Sequence, residues 1–400
     1  MQRRLFGTLL LIVLLAACGS QPSGGAPTSV PLPQAAPAAT AAPATAEAPT
    51  SLPAPTAPTA PAPAEAPTTA PAGDQPTLTL MTHDSFSVSE DVLKEFEQQE
   101  KVKVQVLKSG DAGSALNKAI LSKSSPLADV FFGVDNTFLS RALKADIFDA
   151  YAPPALAGIP DRFKLDSANT LLPIDYGYVN INYDKEFLAK NQLTPPTMLE
   201  DLTKPEWKGK LVVENPATSS PGLAFMLATI AKFGVSGSYT WLDYWQDLRK
   251  NDVLVSDSWN DAYYTHFSGS SGRGPRPLVV SYATSPAAEL VFSEAKPAPA
   301  EPPTGNLLDG SFLQVEFAGI LKGTKQRALA ERLIDFMLSK RFQDDVPLQM
   351  FVYPVLSGAA QPDVFKKFAQ VPDQPLGLPP EQIDQNREQW LDAWTKAVLR

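Results

Sequence analysis

"TLTLMTHDSFSVSEDVLKEFEQQEKVKVQVLKSGDAGSALNKAILSKSSPLADVFFGVDN" (Thr77–Asn136) is the stretch from which the fold class follows. "TLTLM" reads as a first strand. In "SEDVLKEFEQQE", Val92, Leu93 and Phe96 share one helical face, and Ser87 with Glu90 has capping-box spacing. "VKVQVL" alternates apolar and polar residues as a strand does, "GSALNKAILSK" is helical, "ADVFFGV" is a buried strand and "NTFLSRALKA" another helix. The order β-α-β-α-β-α predicts an α/β protein whose sheet is mostly parallel, with helices on its faces.

Outward from that stretch, "LLPIDYGYVNINYD" (171–184) is aromatic and β-rich, suited to crossing between lobes. A second α/β run follows in "GKLVVEN", "GLAFMLATIAKF", "YTWLDYWQDLRK", "DVLVSD" and "RPLVVSY". The chain closes with "SFLQVEFAGIL", one helix over "QRALAERLIDFMLSKRFQDDV" and a final helix rich in Trp and Gln. Two α/β lobes joined by crossover strands predict a hinged cleft. The expected division is 77–175 for the first part of lobe 1, 176–281 for lobe 2, and 282–400 for the rest of lobe 1.

Ahead of the folded part, Arg3 and Arg4 precede an apolar run from Leu5 to Leu15, too short to span a bilayer as a mature helix. Residues 1–17 read as a secretion signal, and its end, Leu15-Ala16-Ala17-Cys18, resembles the bacterial lipobox. Cys18 is the only cysteine of the 400 residues, and its expected role is to carry lipid. Residues 18–76 are dominated by Pro, Ala and Thr, with almost nothing to bury. They are expected to form a disordered tether reaching on the order of 150 Å when extended. A lipid-anchored, tethered, extracytoplasmic protein of two lobes is most simply a solute receptor, at the cell membrane's periplasmic or outer face.

The formal net charge of −9, without a basic cluster, argues against nucleic acid as a partner and favours a cationic ligand. Three sets of residues can serve one. Asp84, Asp111 and Asp135 fall at the carboxyl ends of the first three strands, where they can cap helices or surround a positive group. "TSSPGLAF" (218–225) and "ATSPAAEL" (283–290) place hydroxyls before a proline that opens a helix. Either they cap it, or its free N–H groups hold an acceptor-rich ligand. Trp259, Tyr263 and Tyr264 in "SDSWNDAYY", with Tyr282 at a strand end, can stack on a flat or cationic ligand. Two histidines and no Cys-x-x-Cys make a poor metal inventory, although Tyr263 and Tyr264 leave ferric iron open. No glycine-rich phosphate loop and no G-x-S-x-G elbow occurs, and no cofactor is expected.

"DSF", "DVFFGVDN", "PIDYGY", "NPATSSPGL", "VSYATSP", "FLQVEFAGIL" and "MFVYPV" occur in this order from residue 77 onward. In this the chain resembles the thiamine-binding receptors of bacterial ABC importers. The resemblance implies the type II periplasmic-binding fold shared with iron and polyamine receptors, a monomer, thiamine or its phosphate esters as cargo, and permease subunits as partners. It further implies that Asp111, Ala112, Ser219, Ser220, Trp259, Tyr282, Ala283, Thr284 and Ser285 line the cleft, with Asp84 and Asp135 as further contacts. Two family aromatics are replaced here, by Ala288 and His83. A thiamine-cleaving enzyme of similar shape attacks with a cysteine. Cys18 lies at the anchor, so binding without catalysis is expected.

Overall fold

The computed structural model describes residues 75–269, 274–297 and 299–400. The signal, Cys18 and all but the last two tether residues lie outside them. The chain opens with β1 (Thr77–Thr82), α1 (Glu90–Glu100), β2 (Lys103–Lys108), α2 (Ala112–Leu121), β3 (Val130–Asp135), α3 (Leu139–Ala145) and the short β4 (Phe148–Asp149). β1 pairs in parallel with β2, from Thr77 opposite Lys103 to Thr82 opposite Lys108, and with β3. Every residue of β3 is buried, which is why its sequence is a continuous apolar run. α1 puts Val92 and Phe96 into the core one turn apart. Its N-cap is Ser89, whose hydroxyl and amide go to Asp345 at 2.5 and 2.8 Å. The capping box expected from Ser87 and Glu90 therefore does not form, because the helix starts later and a distant carboxylate takes the cap.

Two long strands carry the chain across the molecule: β5 (Leu172–Asp184), followed by α4 (Lys185–Lys190), and later β9 (Thr304–Leu321). Between them lie β6 (Leu211–Glu214), α5 (Ser220–Phe233), α6 (Trp241–Lys250), β7 (Leu254–Ser256), α7 (Trp259–Asp261) with a π-turn over Ala262–His266, β8 (Leu278–Tyr282) and α8 (Ser285–Val291). Eight strands of the ten-stranded sheet run in the order β2-β1-β3-β9-β5-β8-β6-β7, with β4 paired to β9 and a short C-terminal strand, Tyr353–Pro354, paired to β5 off that path. β5 and β9 are antiparallel along their lengths, from Leu172 opposite Ala318 to Asp184 opposite Thr304. β3 joins the C-terminal half of β9, and β8 joins the C-terminal half of β5. One wing is thus built on β1–β3 and the other on β6–β8.

The sheet is mixed rather than mostly parallel. The local βαβ signals were sound within each wing, but the central strands run against their neighbours, as strands returning between two wings must. Between Val179 and Ile181 the register slips, because β9 inserts a bulge between Leu307 and Phe312. Gly310 turns that bulge with φ +80°, and a Cβ there would lie 2.6 Å from the Leu199 side chain.

The C-terminal part is α9 (Arg327–Met337), α10 (Lys340–Gln349), β10 (Tyr353–Pro354), α11 (Asp363–Phe368) and α12 (Pro380–Val398). The single helix expected over 326–346 is broken at Leu338–Ser339, where Ser339 caps α10 through the Phe342 amide. α12, placed by sequence with the first lobe, touches both wings. Trp394 is fully buried, edge-on to Trp245 of α6 at 5.4 Å, and Asp384 pairs with Lys144 of α3 at 2.7 Å. Arg249 of α6 donates to the carbonyls of Ala397 and Arg400. Among the described residues no helix is long and apolar enough to cross a membrane.

Candidate ligand-binding cleft

Asp111 is the N-cap of α2, on the β1–β3 wing. Its Oδ1 accepts from the Ala112 amide at 2.7 Å, and its Oδ2 accepts from the Trp259 amide of the other wing at 3.0 Å. Burial raises its pKa while these two amides work against that rise. The amides of Gly113 and Ser114 donate to the Thr218 carbonyl at 3.0 and 3.3 Å, and Ser85 Oγ donates to Asn260 Oδ1. The wings therefore touch backbone to backbone. Glycine at 113 is what permits this, since a Cβ would stand 2.8 Å from both the Phe138 ring and the Thr218 oxygen.

These contacts adjoin a cavity of about 1100 Å³ between the wings. Trp259 forms part of its wall. Its indole N–H donates to Ser281 Oγ at 3.0 Å, and its ring stacks on Tyr263 at 4.9 Å and 21°. Tyr264 meets it edge-on at 5.6 Å. The π-turn brings these two consecutive tyrosines onto the same indole, an arrangement the sequence did not announce. Ser281 Oγ lies 2.9 Å from Ser285 Oγ, and the Tyr282 hydroxyl donates to Gln314 Oε1 at 3.2 Å. Burial raises the Tyr282 phenol well above its ordinary value, with Glu316 and Asp111 adding to the rise.

Six carboxylates line the cavity, Asp111, Asp184, Glu186, Glu289, Glu294 and Glu316, and among the described residues no lysine or arginine does. His83 also lines it, but burial lowers its pKa to about 4, so it is neutral at neutral pH. The cleft is thus acidic and aromatic-walled, with no counter-cation among the described residues that line it. Such a site attracts positive charge and favours flat rings.

A family model for bacterial extracellular solute-binding proteins matches residues 125–374. The chain belongs to this family. Among relatives of the chain, the thiamine-binding periplasmic protein of Salmonella typhimurium is 34% identical over 332 residues, 82% of this chain and 94% of the relative. The protein of the same name from Escherichia coli K12 is 33% identical over 331 residues, with the same coverage. A solved structure of a periplasmic thiamin binding protein superposes with a TM-score of 0.71 at 29% identity, covering 82% of this chain and 97% of that one. The two-lobed periplasmic-binding fold expected from the sequence is the fold of this solute-binding protein.

Of the residues singled out from the sequence, Asp111, Ala112, Ser220, Trp259, Tyr282, Thr284 and Ser285 line the cavity. Four others do not. Ser219 is fully buried beneath the start of α5, and its hydroxyl has no partner among the described residues. Ala283 is buried and ties its amide to the Tyr178 carbonyl. Asp84 is exposed at a separate small recess, where it accepts from the Gly110 amide. Asp135 is fully buried one layer back, accepting from the Thr137 amide at 2.7 Å and from the Ser220 hydroxyl. It orients Ser220 instead of facing the cavity. At neither proline-led helix does the expected hydroxyl cap form, because Thr284 donates to the Phe351 carbonyl instead.

The aromatic cluster read from the sequence also delivers Tyr263 and Tyr264 to the cavity, whereas sequence reasoning passed over Glu289, Phe292, Phe351 and Glu316, all of which line it. Where a family aromatic is replaced by Ala288, Phe292 and Phe351 of the same cavity stand 5.0 Å apart. Glu316 had a readable signal. It is the lone acid in "FLQVEFAGIL", a strand otherwise destined for the interior.

Proposed function

We propose that this solute-binding protein captures thiamine, or its phosphate esters, between its wings and delivers it to an ABC importer. The observation that carries the reading is a cleft with six acids, a Trp259–Tyr263 stack and no lysine or arginine among the described lining residues. Thiamine matches each part of it. A thiazolium cation meets the carboxylates, an aminopyrimidine meets the aromatic wall, and the alcohol or phosphate tail meets Ser220 and the first-turn amides of α5. The names of the two relatives, at 33% and 34% identity, support the same cargo.

Ferric iron held by the tyrosines fits less well, since the Tyr263 hydroxyl is already donated to Glu289 and the Tyr263 and Tyr264 rings both pack on Trp259. A polyamine would find the acids but would leave the stacked rings without a flat partner. We further propose that lipid on Cys18 anchors the receptor outside the cytoplasmic membrane, that it acts as a monomer, and that it catalyses nothing and needs no resident cofactor.

Titration of ligand-stripped protein with thiamine, followed by tryptophan fluorescence, tests the reading. A saturable change at micromolar thiamine or below is expected. Trp259→Ala is expected to weaken binding by about tenfold or more through lost stacking and cation–π contact. No response in the wild type, or an identical response in Trp259→Ala, would remove the support.

A further inference from the structure

The acids of the cleft differ in what already holds them. Asp111 gives its two oxygens to backbone amides of Ala112 and Trp259. Asp184 accepts from the Phe187 amide and the Ser268 hydroxyl, Glu186 pairs with Lys190, and Glu289 takes the Tyr263 hydroxyl. Glu294 is exposed. Glu316 is the buried one without a close donor. Its donors among the described residues stand further off than those of the other buried acids, the Gln314 amide at 3.4 Å and His83 Nε2 at 3.5 Å. Directly opposite in the β5–β9 register stands the fully buried Asp175, whose carboxyl has no partner among the described residues but that of Glu316, the two hydrogen-bonding to one another when one holds a proton.

We infer that Glu316 is the residue that takes up the positive charge of the cargo, and that it does so by giving up a proton when the cargo arrives. The inference rests on the cationic reading proposed above. In the empty cleft, burial and the neighbouring Asp175 hold the Glu316 carboxyl in its neutral form, and burial pushes Asp175 up to about 7. A cation seated against Glu316 reverses that balance, because an opposite charge at close range favours the carboxylate. The O–H bond of Glu316 breaks, its electron pair stays on the carboxylate, and the proton leaves to the buffer.

The groups facing Glu316 cannot substitute for the cargo. They are His83 from the loop after β1, Asp135 at the end of β3, Asp175 on β5, Asp111 at the start of α2 and, through Gln314, the Tyr282 hydroxyl of β8. Of these only His83 is basic, and it is neutral. The helices packed against β9 turn their charges elsewhere. Lys232 of α5 goes to Asp309, Glu289 of α8 meets Tyr263, and Asp335 of α9 meets Tyr151. The position also suits a closing cleft, since Glu316 lies on one of the two strands that join the wings.

Isothermal titration of the full folded receptor with thiamine at pH 7, repeated in buffers of different ionisation enthalpy, reads the proton count directly. The expected result is release of about half to one proton per thiamine bound, with affinity rising as pH is raised through neutrality. Glu316→Gln is expected to abolish the release and weaken binding by about tenfold or more. Wild-type binding without proton exchange would overturn the inference and leave the thiamine reading standing. The same proton released by a folded Glu316→Gln would also overturn it. If the wild type fails to bind thiamine at all, both fall. Should Glu316→Gln not fold, the wild-type proton count still decides.

Discussion

Gly113 shows how a single hydrogen in place of a methyl sets the geometry of the cleft. Its N–H reaches the Thr218 carbonyl only because nothing projects from its Cα toward Phe138, Ala217 and Thr218. Gly113→Ala is expected to destabilise the protein by about 1–3 kcal/mol through overpacking against backbone. Urea unfolding with unchanged m-value checks this, and a midpoint equal to wild type would refute it. Much at this scale was legible in the sequence. Asp111, Trp259 and Tyr282 stood out as polar or aromatic residues at strand ends and helix starts, and they line the cavity. Asp135 and Ser219 looked alike in sequence yet lie one layer deeper, because a one-residue change along a strand or helix start alters which way a side chain points. Glu316 was the inverse case, since its strand reads as core and only its charge betrays the cavity beside it.

Among the elements, the pair β5 and β9 concentrates what is unusual. Two strands that cross the whole sheet carry Asp175 and Glu316 face to face in the interior. The sign of the resulting pH effect follows from the shift of Asp175 from 3.8 to about 7. The folded state holds that proton more tightly than the unfolded chain does. Its contribution to stability is therefore full below about pH 4 and is lost as pH rises toward 7. Asp175→Asn removes this titration. The melting temperature of the variant relative to wild type is expected to be near parity at pH 4 and higher at pH 8, and calorimetry at the two values measures it. An equal difference at both pH values would contradict the assignment. His83 titrates in the opposite sense, but it is common to both proteins and cancels. The crossing strands themselves were foreseen from "LLPIDYGYVNINYD" and "SFLQVEFAGIL". Their direction was not, because hydrophobic periodicity reports burial and is blind to whether a neighbour runs parallel or antiparallel.

For the whole molecule, the closing helix α12 matters as much as the cleft on the opposite account of its contacts. Trp394 sits in the core against Trp245, while Asp384 reaches Lys144 on the other wing. Trp394→Ala is expected to cost about 3–5 kcal/mol, as for other fully buried tryptophans, and denaturant midpoints check it. A loss under about 1 kcal/mol would mean the helix is peripheral to stability. No periodicity argument could have found this role, since the last helix of a chain can dock on any face its apolar stripe fits. A helix fastened to both halves also restricts the freedom with which they move. Its hold on the second wing is the Trp394 ring against Trp245, and its hold on the first is the buried Arg387, whose guanidinium lies 4.8 Å over the Phe138 ring. Any displacement of one half against the other must therefore strain one of these two buried anchors, which makes α12 a clasp across the back of the molecule.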